Sequence, residues 1–566
     1  MAQHAKQAAD ISRAMVIETP ALADWLVVAP VIICLLGGAF LLTQRKNTAL
    51  QGRTAIAILA LLVAACIGLV MHVVNNGPIV MTMGRWLPPF GISFAVDLLG
   101  ALLALVAAIV AFFCGLYALI EIETHERRYG FFPFLVLLMA GVSGAFLTGD
   151  IFNLYVWFEV LLIASFGLLI LGNEKPQLDG AVKYAFLNLI ATTLFLIATG
   201  YLYGLVGTLN MADITNRLAA LPDGAPIHTI AAIYLVAFAM KAAAFPLFSW
   251  LPAAYHTPRI VVSAVFAGLL TKVGVYALLR TLVMLMPGSL LIFADFLAWI
   301  AAATMLIGVL GALAQNDIRR TMGYLVISGI GSMLAGAALT SDLGLMGAIL
   351  YAVHSMIVMT ALYMVCGLMI RQAGSHDLRQ LGGLYGRDPF LSALFLILAF
   401  AVSGLPPFSG FWPKLTLVQA SLAGSNGWLA AALLLTGLFT TIAVGRIWIM
   451  SFWRGGPAGT PDGEHIALHS MPKIDPADRR DLLFPIIGLT ALVVALGIFP
   501  RPYLNIAAGG AGGLLFEQSY IGAVLGEAAA APEMQPEAGP GTEPETGSGE
   551  GIDNSPAEDG RSGDET

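Results

Sequence analysis

The chain has 566 residues, of which 58% are hydrophobic and only 11% charged, with a mean hydropathy of +0.83 and a formal net charge of −7. That balance excludes an ordinary soluble domain and, with no basic patch, a nucleic-acid-binding protein; the solvent for most of this surface is lipid. Four cysteines, Cys34, Cys66, Cys114 and Cys366, stand in separate apolar runs without paired spacing, so no iron–sulfur cluster, zinc site or other cofactor is expected.

A polar extension at 1–24 carries no apolar stretch of signal-peptide type, so the first membrane helix is expected to be retained. A span needs about 20 apolar residues, and about fourteen such runs follow by hydropathy. Three lie in an N-terminal block, 25–130, near 25–43, 54–74 and 93–119. A first five-helix block, 131–281, holds runs near 131–149, 151–172, 181–206, 229–252 and 259–281. A second, 288–453, holds runs near 288–312, 320–339, 343–370, 389–423 and 428–453. A last span at 482–500 precedes an acidic, Pro- and Gly-rich tail at 532–566, whose composition cannot bury enough apolar surface to fold.

Basic residues fall on alternate loops. Arg45, Lys46 and Arg53 follow the first span, Arg127 and Arg128 the third, Lys175 the fifth, Arg259 the seventh, and Arg319 and Arg320 the ninth. Arg371, Arg379 and Arg387 follow the eleventh; Arg454, Lys473, Arg479 and Arg480 follow the thirteenth. The other loops hold only Arg85 and Arg217 beside Asp213 and Asp223. The basic loops are therefore expected in the cytoplasm of a bacterial cell with both termini outside, against the weaker pull of Lys6 and Arg13.

One internal repeat is visible. The segment AFPLFSWLP at 244–252 resembles GLPPFSGFWP at 404–413, and aligning Pro246 with Pro406 sets Phe248 against Phe408 and Ser249 against Ser409. Proline lacks the amide hydrogen, so Pro246, Pro406 and Pro407 are expected to interrupt their spans near mid-depth. Irregular backbone at that depth is tolerated only against protein or water. A matched pair of interruptions in two blocks is the mark of inverted repeats, although a proline kink alone would also account for each. The expected fold is an all-α polytopic membrane protein of about 14 helices, with two inverted five-helix repeats that each contain a broken helix.

Ionisable groups inside spans are expensive and normally face a partner or a hydrated cavity. Five stand out: Glu159, Lys241, Lys272, His354 and Lys414, the last directly after the second break. Singly, each has a plainer reading: Glu159 and Lys241 as a static ion pair, His354 as a satisfied core histidine, Lys272 as a snorkelling side chain. Together they form a series that static packing does not require. Asp97, Lys183, Arg280, Asp295 and Arg446 lie nearer span ends, where snorkelling suffices for most.

Four stretches carry a resemblance: NLYVWFEVLLI at 153–163, KAAAFPLFSWLPAAYHTPR at 241–259, SAVFAGLLTKVGVYAL at 263–278 and SGLPPFSGFWPK at 403–414. Over about residues 25–500 the chain resembles the antiporter-like membrane subunits shared by respiratory complex I and the multisubunit Mrp sodium/proton antiporters, and among these the D-type Mrp subunits. The resemblance implies that Glu159 and Lys241 form the first half-channel, Lys272 bridges, His354 links the second half and Lys414 ends the route. It implies partners, namely the other subunits of a complex, with protons and sodium or another monovalent cation as cargo. A lysine at 414, and no further membrane helices after 500, favour the Mrp type. A proton-pumping subunit of complex I or a membrane-bound hydrogenase, and a non-transporting scaffold, are the alternatives.

Overall fold

The computed structural model describes residue 15 and residues 20–88, 90–222, 224–454 and 474–526. Most of the polar extension at 1–24 and all of the acidic tail at 532–566 lie outside the described residues.

The chain opens with α1 (Trp25–Thr43) and α2 (Thr48–Asn76). A hairpin of β1 (Ile79–Thr82) and β2 (Ser93–Val96) follows, pairing Ile79 with Val96 and Thr82 with Ser93. Then come α3 (Leu98–Glu121), α4 (Thr124–Tyr129), α5 (Phe131–Leu147), α6 (Ile151–Leu169), α7 (Lys175–Val206) and α8 (Met211–Ala219). The first interruption falls between α9 (Ile227–Ala242) and α10 (Trp250–Tyr255). Next are α11 (Ile260–Leu278), which continues as a π-helical segment (Leu279–Leu285), α12 (Pro287–Ala314), α13 (Ile318–Ala338) and α14 (Asp342–Ala373). After α15 (Leu384–Arg387), the second interruption falls between α16 (Pro389–Ser403) and α17 (Phe411–Ala423). The described chain ends with α18 (Gly427–Trp448), α19 (Pro476–Ile498), α20 (Arg501–Leu515) and α21 (Gln518–Leu525).

Among the described residues, 11 helices are long and apolar enough to cross a membrane. The shorter apolar helices are α5, α9 and α16. The runs at 229–252 and 389–423 therefore divide into shorter pieces, and the chain is a multi-pass helical membrane protein. Its all-α description needs one addition, the two-stranded hairpin. Strand and helix could not be separated over 93–96 from apolar character alone, because a short apolar run fits either.

A helix apolar on every side belongs in the interior. The most apolar window of α11 is 100% buried, and those of α13 and α14 are 94% buried. These three form the centre with α3, whose window is 72% buried, packed beside them, and the other long spans, 33–50% buried, lie outside.

Hydrogen bonds between loops sort the two ends of the bundle. Gly149 N donates to Ser93 O at 2.9 Å and Met211 N to Gly149 O at 2.9 Å, gathering the hairpin, the turn before α6 and α8 on one face. On the other, Arg259 pairs with Glu126 at 2.7 Å, Ile318 N donates to His376 O at 3.0 Å and Gly383 N to Arg454 O at 2.6 Å. The loops rich in arginine thus share one end, here the basic face, and the hairpin marks the opposite one.

The two interruptions are built alike. Ala243, at φ 61°, closes α9, and Gly404, at φ 86°, closes α16. Each helix resumes at the same spacing, at Trp250 and Phe411. The backbone thus pairs Ala243 with Gly404, Pro246 with Pro407 and Pro252 with Pro413, one residue away from the alignment of Pro246 with Pro406. The Phe-Ser identities that favoured the other register lie inside the irregular segments, where side-chain likeness does not follow backbone position.

Candidate functional site

Where α16 stops, its last carbonyls lack intrahelical partners and the helix dipole leaves them electronegative. Lys414, one turn into α17, fills that role: its Nζ donates to Val402 O at 2.9 Å and to Ser403 O at 2.7 Å. The side chain reaches them across Gly404, whose missing β-carbon would otherwise meet Lys414 Cδ at 2.4 Å. The first interruption has no such lysine. There Trp250 Nε1 donates to Met240 O at 3.1 Å and Thr304 Oγ1 accepts from Phe245 N at 3.0 Å.

Lys241 sits in the last turn of α9 and is 6% exposed. Its ammonium lies over the Phe158 ring, 4.8 Å from the centroid, the geometry of a cation–π contact. Among the described residues no ion pair joins it to Glu159, although the two are close enough to interact electrostatically. Glu159 is half-buried beside Phe152, Val156 and Ile163, which are exposed on the same side of α6. The expected pair is thus set apart in this conformation, with Phe158 in contact with the lysine.

Gly274 on α11 packs directly on α9, where a β-carbon would meet Ala242 N at 2.8 Å. That contact brings Lys241 beside the helix that carries Lys272. Lys272 is 1% exposed and donates to Ala267 O at 2.6 Å, so its ammonium is drawn toward the basic face. On α14, His354 is 1% exposed; its Nδ1 lies 2.8 Å from Ser409 Oγ in the second interruption, and it feels the charges of both Lys272 and Lys414. Its Nε2 has no hydrogen-bond partner, and neither do the buried Thr271 Oγ1 and Ser403 Oγ.

Lys241, Lys272, His354 and Lys414 thus lie on a row of successively packed helices, α9, α11, α14 and α17. Glu159 stands at the outer end of the row. Pro246, Pro406 and Pro407 all lie within the irregular segments.

Four features escaped the sequence. Ser409 was visible only as part of the repeat, and nothing in a Ser beside a Phe announces a histidine partner. Phe158 was hidden among the aromatic residues of α6. Asp97 and Arg280 do not snorkel: they are 5% and 1% exposed and form a buried ion pair. Arg446, half-buried, is tied to the end of α12 and the turn after it, donating to Leu313 O at 2.6 Å, Gln315 O at 2.8 Å and Asn316 Oδ1 at 2.7 Å. Lys183 does reach solvent, paired with Asp179.

Residues 148–440 match the family described as NADH:quinone oxidoreductase/Mrp antiporter, TM. The chain is 38% identical over 503 residues to the D-type Na(+)/H(+) antiporter subunit of Alkalihalophilus pseudofirmus, covering 89% of this chain and 99% of that one. It is 36% identical over 504 residues to the D-type Na(+)/H(+) antiporter subunit of Bacillus subtilis, covering 88% and 99%. Its backbone superposes on a chain of the Mrp complex from Dietzia sp. DQ12-45-1b with a TM-score of 0.82 at 30% identity, over 90% of this chain and 100% of that one.

Proposed function

The chain belongs to the NADH:quinone oxidoreductase/Mrp antiporter family of membrane subunits, and on that premise we propose that it carries protons within a multisubunit sodium/proton antiporter. It is a transporter component rather than an enzyme. Its partners are the other subunits of that complex and the lipid around it, and its cargo is protons, coupled to sodium or another monovalent cation. Near-complete coverage of relatives named as antiporter subunits favours this reading over a pumping subunit of complex I or a hydrogenase.

The observation that carries the proposal is the row of buried Lys241, Lys272 and His354 and half-buried Lys414, running from one interruption to the other. Glu159 is its outer carboxylate. The unpartnered Thr271 Oγ1, His354 Nε2 and Ser403 Oγ support water-carried transfer between the side chains, because buried polar atoms of this kind bind water where there is room. The blocks at 131–281 and 288–453 act as inverted repeats around this row. The protein resides in a bacterial inner membrane with the basic face in the cytoplasm and both termini outside. A charge crossing the membrane potential is worth about 2.3 kcal/mol per 100 mV, enough for proton uptake to drive cation export.

Sodium-dependent proton transport in everted vesicles carrying the complete complex tests this. Lys272→Ala is expected to abolish exchange while the complex assembles. A scaffold role predicts wild-type exchange in the same variant.

A further inference from the structure

A second polar series leaves Lys272 toward the hairpin face. Lys272, Tyr276 and Arg280 recur at four-residue steps, so one side of α11 and its continuation carries all three. Each is 1% exposed. The helix widens into its π-helical segment, Leu279–Leu285, where this series reaches Arg280. Such segments are rare and concentrate at functional positions.

Arg280 is held from four sides. Its Nε donates to Tyr276 OH at 3.0 Å, one terminal nitrogen to Met284 Sδ at 3.3 Å and the other to Asp97 Oδ1. Its guanidinium lies over the rings of Tyr276 and Tyr520, 5.3 and 5.4 Å from their centroids. Tyr276 OH donates in turn to Phe146 O at 2.9 Å.

The carboxylate is only half used. Asp97 Oδ1 also accepts from Gly100 N at 2.9 Å, capping α3, whereas Asp97 Oδ2 has no partner. The Tyr520 hydroxyl has none either, although Tyr520 is 2% exposed. Leaving a buried polar group without a partner is costly. A purely structural ion pair has no need of two of them. The cluster also reaches the surface: half-buried Gly513, on α20, faces Asp97 Oδ2, which would lie 3.8 Å from a β-carbon placed there.

We propose that Asp97 Oδ2 and the Tyr520 hydroxyl are relay groups of a proton outlet joining Lys272 to the hairpin face, with Arg280 positioning the carboxylate. This rests on the assignment of Lys272 to the proton row. The step begins when the Lys272 ammonium leaves Ala267 O and releases a proton, becoming the neutral amine. The proton passes through water and hydroxyl groups to Asp97 Oδ2, forming the carboxylic acid. Loss of the same proton to water at the hairpin face regenerates the carboxylate, and no electron moves. While Lys272 stays on Ala267 O, the outlet is closed.

Tyr520→Phe in the complete complex is the decisive variant, because the hydroxyl it removes makes no hydrogen bond and the ring over Arg280 is kept. Complex abundance should be unchanged while sodium-dependent proton transport falls by about tenfold, below the ceiling of what positioned acid–base groups contribute. Asp97→Asn keeps the shape and the acceptor to Arg280 but cannot hold a proton, and should fall likewise if it assembles. Gly513→Cys should react with a charged, membrane-impermeant thiol reagent from the hairpin face and lose transport on labelling. Phe90→Cys, in the exposed hairpin loop, marks which vesicles present that face, and the four native cysteines are buried. Wild-type transport in Tyr520→Phe, or an unreactive Gly513→Cys beside a reactive Phe90→Cys, overturns the outlet. If Lys272→Ala abolishes transport in the same vesicles, only the outlet has failed; if Lys272→Ala transports normally, the proton row and the outlet fail together.

Discussion

Lys414 runs across Gly404, and a β-carbon on that glycine would come within 2.4 Å of the lysine Cδ. The glycine has a second reason to be there, since its φ of 86° belongs to the left-handed region. That region costs other residues about 1–2 kcal/mol. Lys414→Ala removes the ammonium from the end of α16 and should lower sodium-dependent proton transport by more than about tenfold, with the complex still assembled. Gly404→Ala should lose much of the same activity while keeping the lysine, because the methyl group displaces it from Val402 O and Ser403 O. Transport rates normalised to complex abundance check both; normal rates in Lys414→Ala would remove the lysine from the route.

His354 and Ser409 give a second test. With Nε2 already without a partner, Ser409→Ala strips the imidazole of its one hydrogen bond from the second interruption and leaves a buried polar group unpaired, at about 1–3 kcal/mol. Transport should fall severalfold in the assembled complex. Ser409→Thr, which keeps the hydroxyl, should retain more activity than the alanine variant, and equal loss in both would point to packing rather than to the hydrogen bond.

The spans and buried charges were legible because hydrocarbon imposes strong rules: long apolar runs, and few charges without purpose. The interruptions were legible because proline cannot donate a backbone hydrogen bond. Their register was not, since identities at Phe248 and Phe408 say nothing about where a left-handed residue closes a helix. The hairpin hid in the apolar stretch Phe94–Val96, which reads as the start of α3. Helix α20 was missed because its glycine-rich segment 508–513 has weak helical propensity, and packing against α3 and α14 supports it; the short α21 packs on α8 and the hairpin. Asp97 and Arg280 are 183 residues apart in the chain, and position near a span end suggested solvent where the fold supplies a partner.

At the basic face, Asp388 caps α16 and joins it to α19 through Arg479, with hydrogen bonds of 2.8 and 2.6 Å. Burial alone would raise its carboxyl, but hydrogen bonds from Arg479, the Leu391 amide and Gln372 outweigh it and hold the group below the usual carboxylate range. A carboxyl lowered in the folded state contributes stability that is fully present above its unfolded value, about 3.9, and is lost as pH falls through the lowered one. Arg479→Ala should therefore cost about 1–3 kcal/mol at neutral pH, less than a fully buried pair because the arginine is partly in solvent. Thermal denaturation of the purified complex against pH should show the gap from wild type constant down to about pH 4 and narrowing below it. A gap that widens on acidification would contradict the assignment.

Glu159 and Lys241 offer the sharpest contrast between a structural and a functional pair. A static pair holds two helices together, and removing one charge leaves the other buried and uncompensated, at about 3–5 kcal/mol. Here the lysine rests on Phe158 instead, and no ion pair with Glu159 forms, so the complex is expected to assemble without that carboxylate. Glu159 is half-buried at the edge of an exposed apolar face of α6, open to the lipid or neighbouring subunit that covers that face. Glu159→Gln keeps the size and hydrogen-bonding capacity of the side chain but cannot ionise. Complex abundance should match wild type, and sodium-dependent proton transport should drop to about a tenth or less across the working pH range, the loss expected of a positioned proton-carrying group. Phe158→Leu supplies the complement: it removes the ring from the lysine without touching the carboxylate, and should weaken transport less than Glu159→Gln does. Abundance and transport measured in the same vesicles separate the readings, since a static pair loses the complex, a dispensable one loses nothing, and a proton-carrying carboxylate loses transport alone.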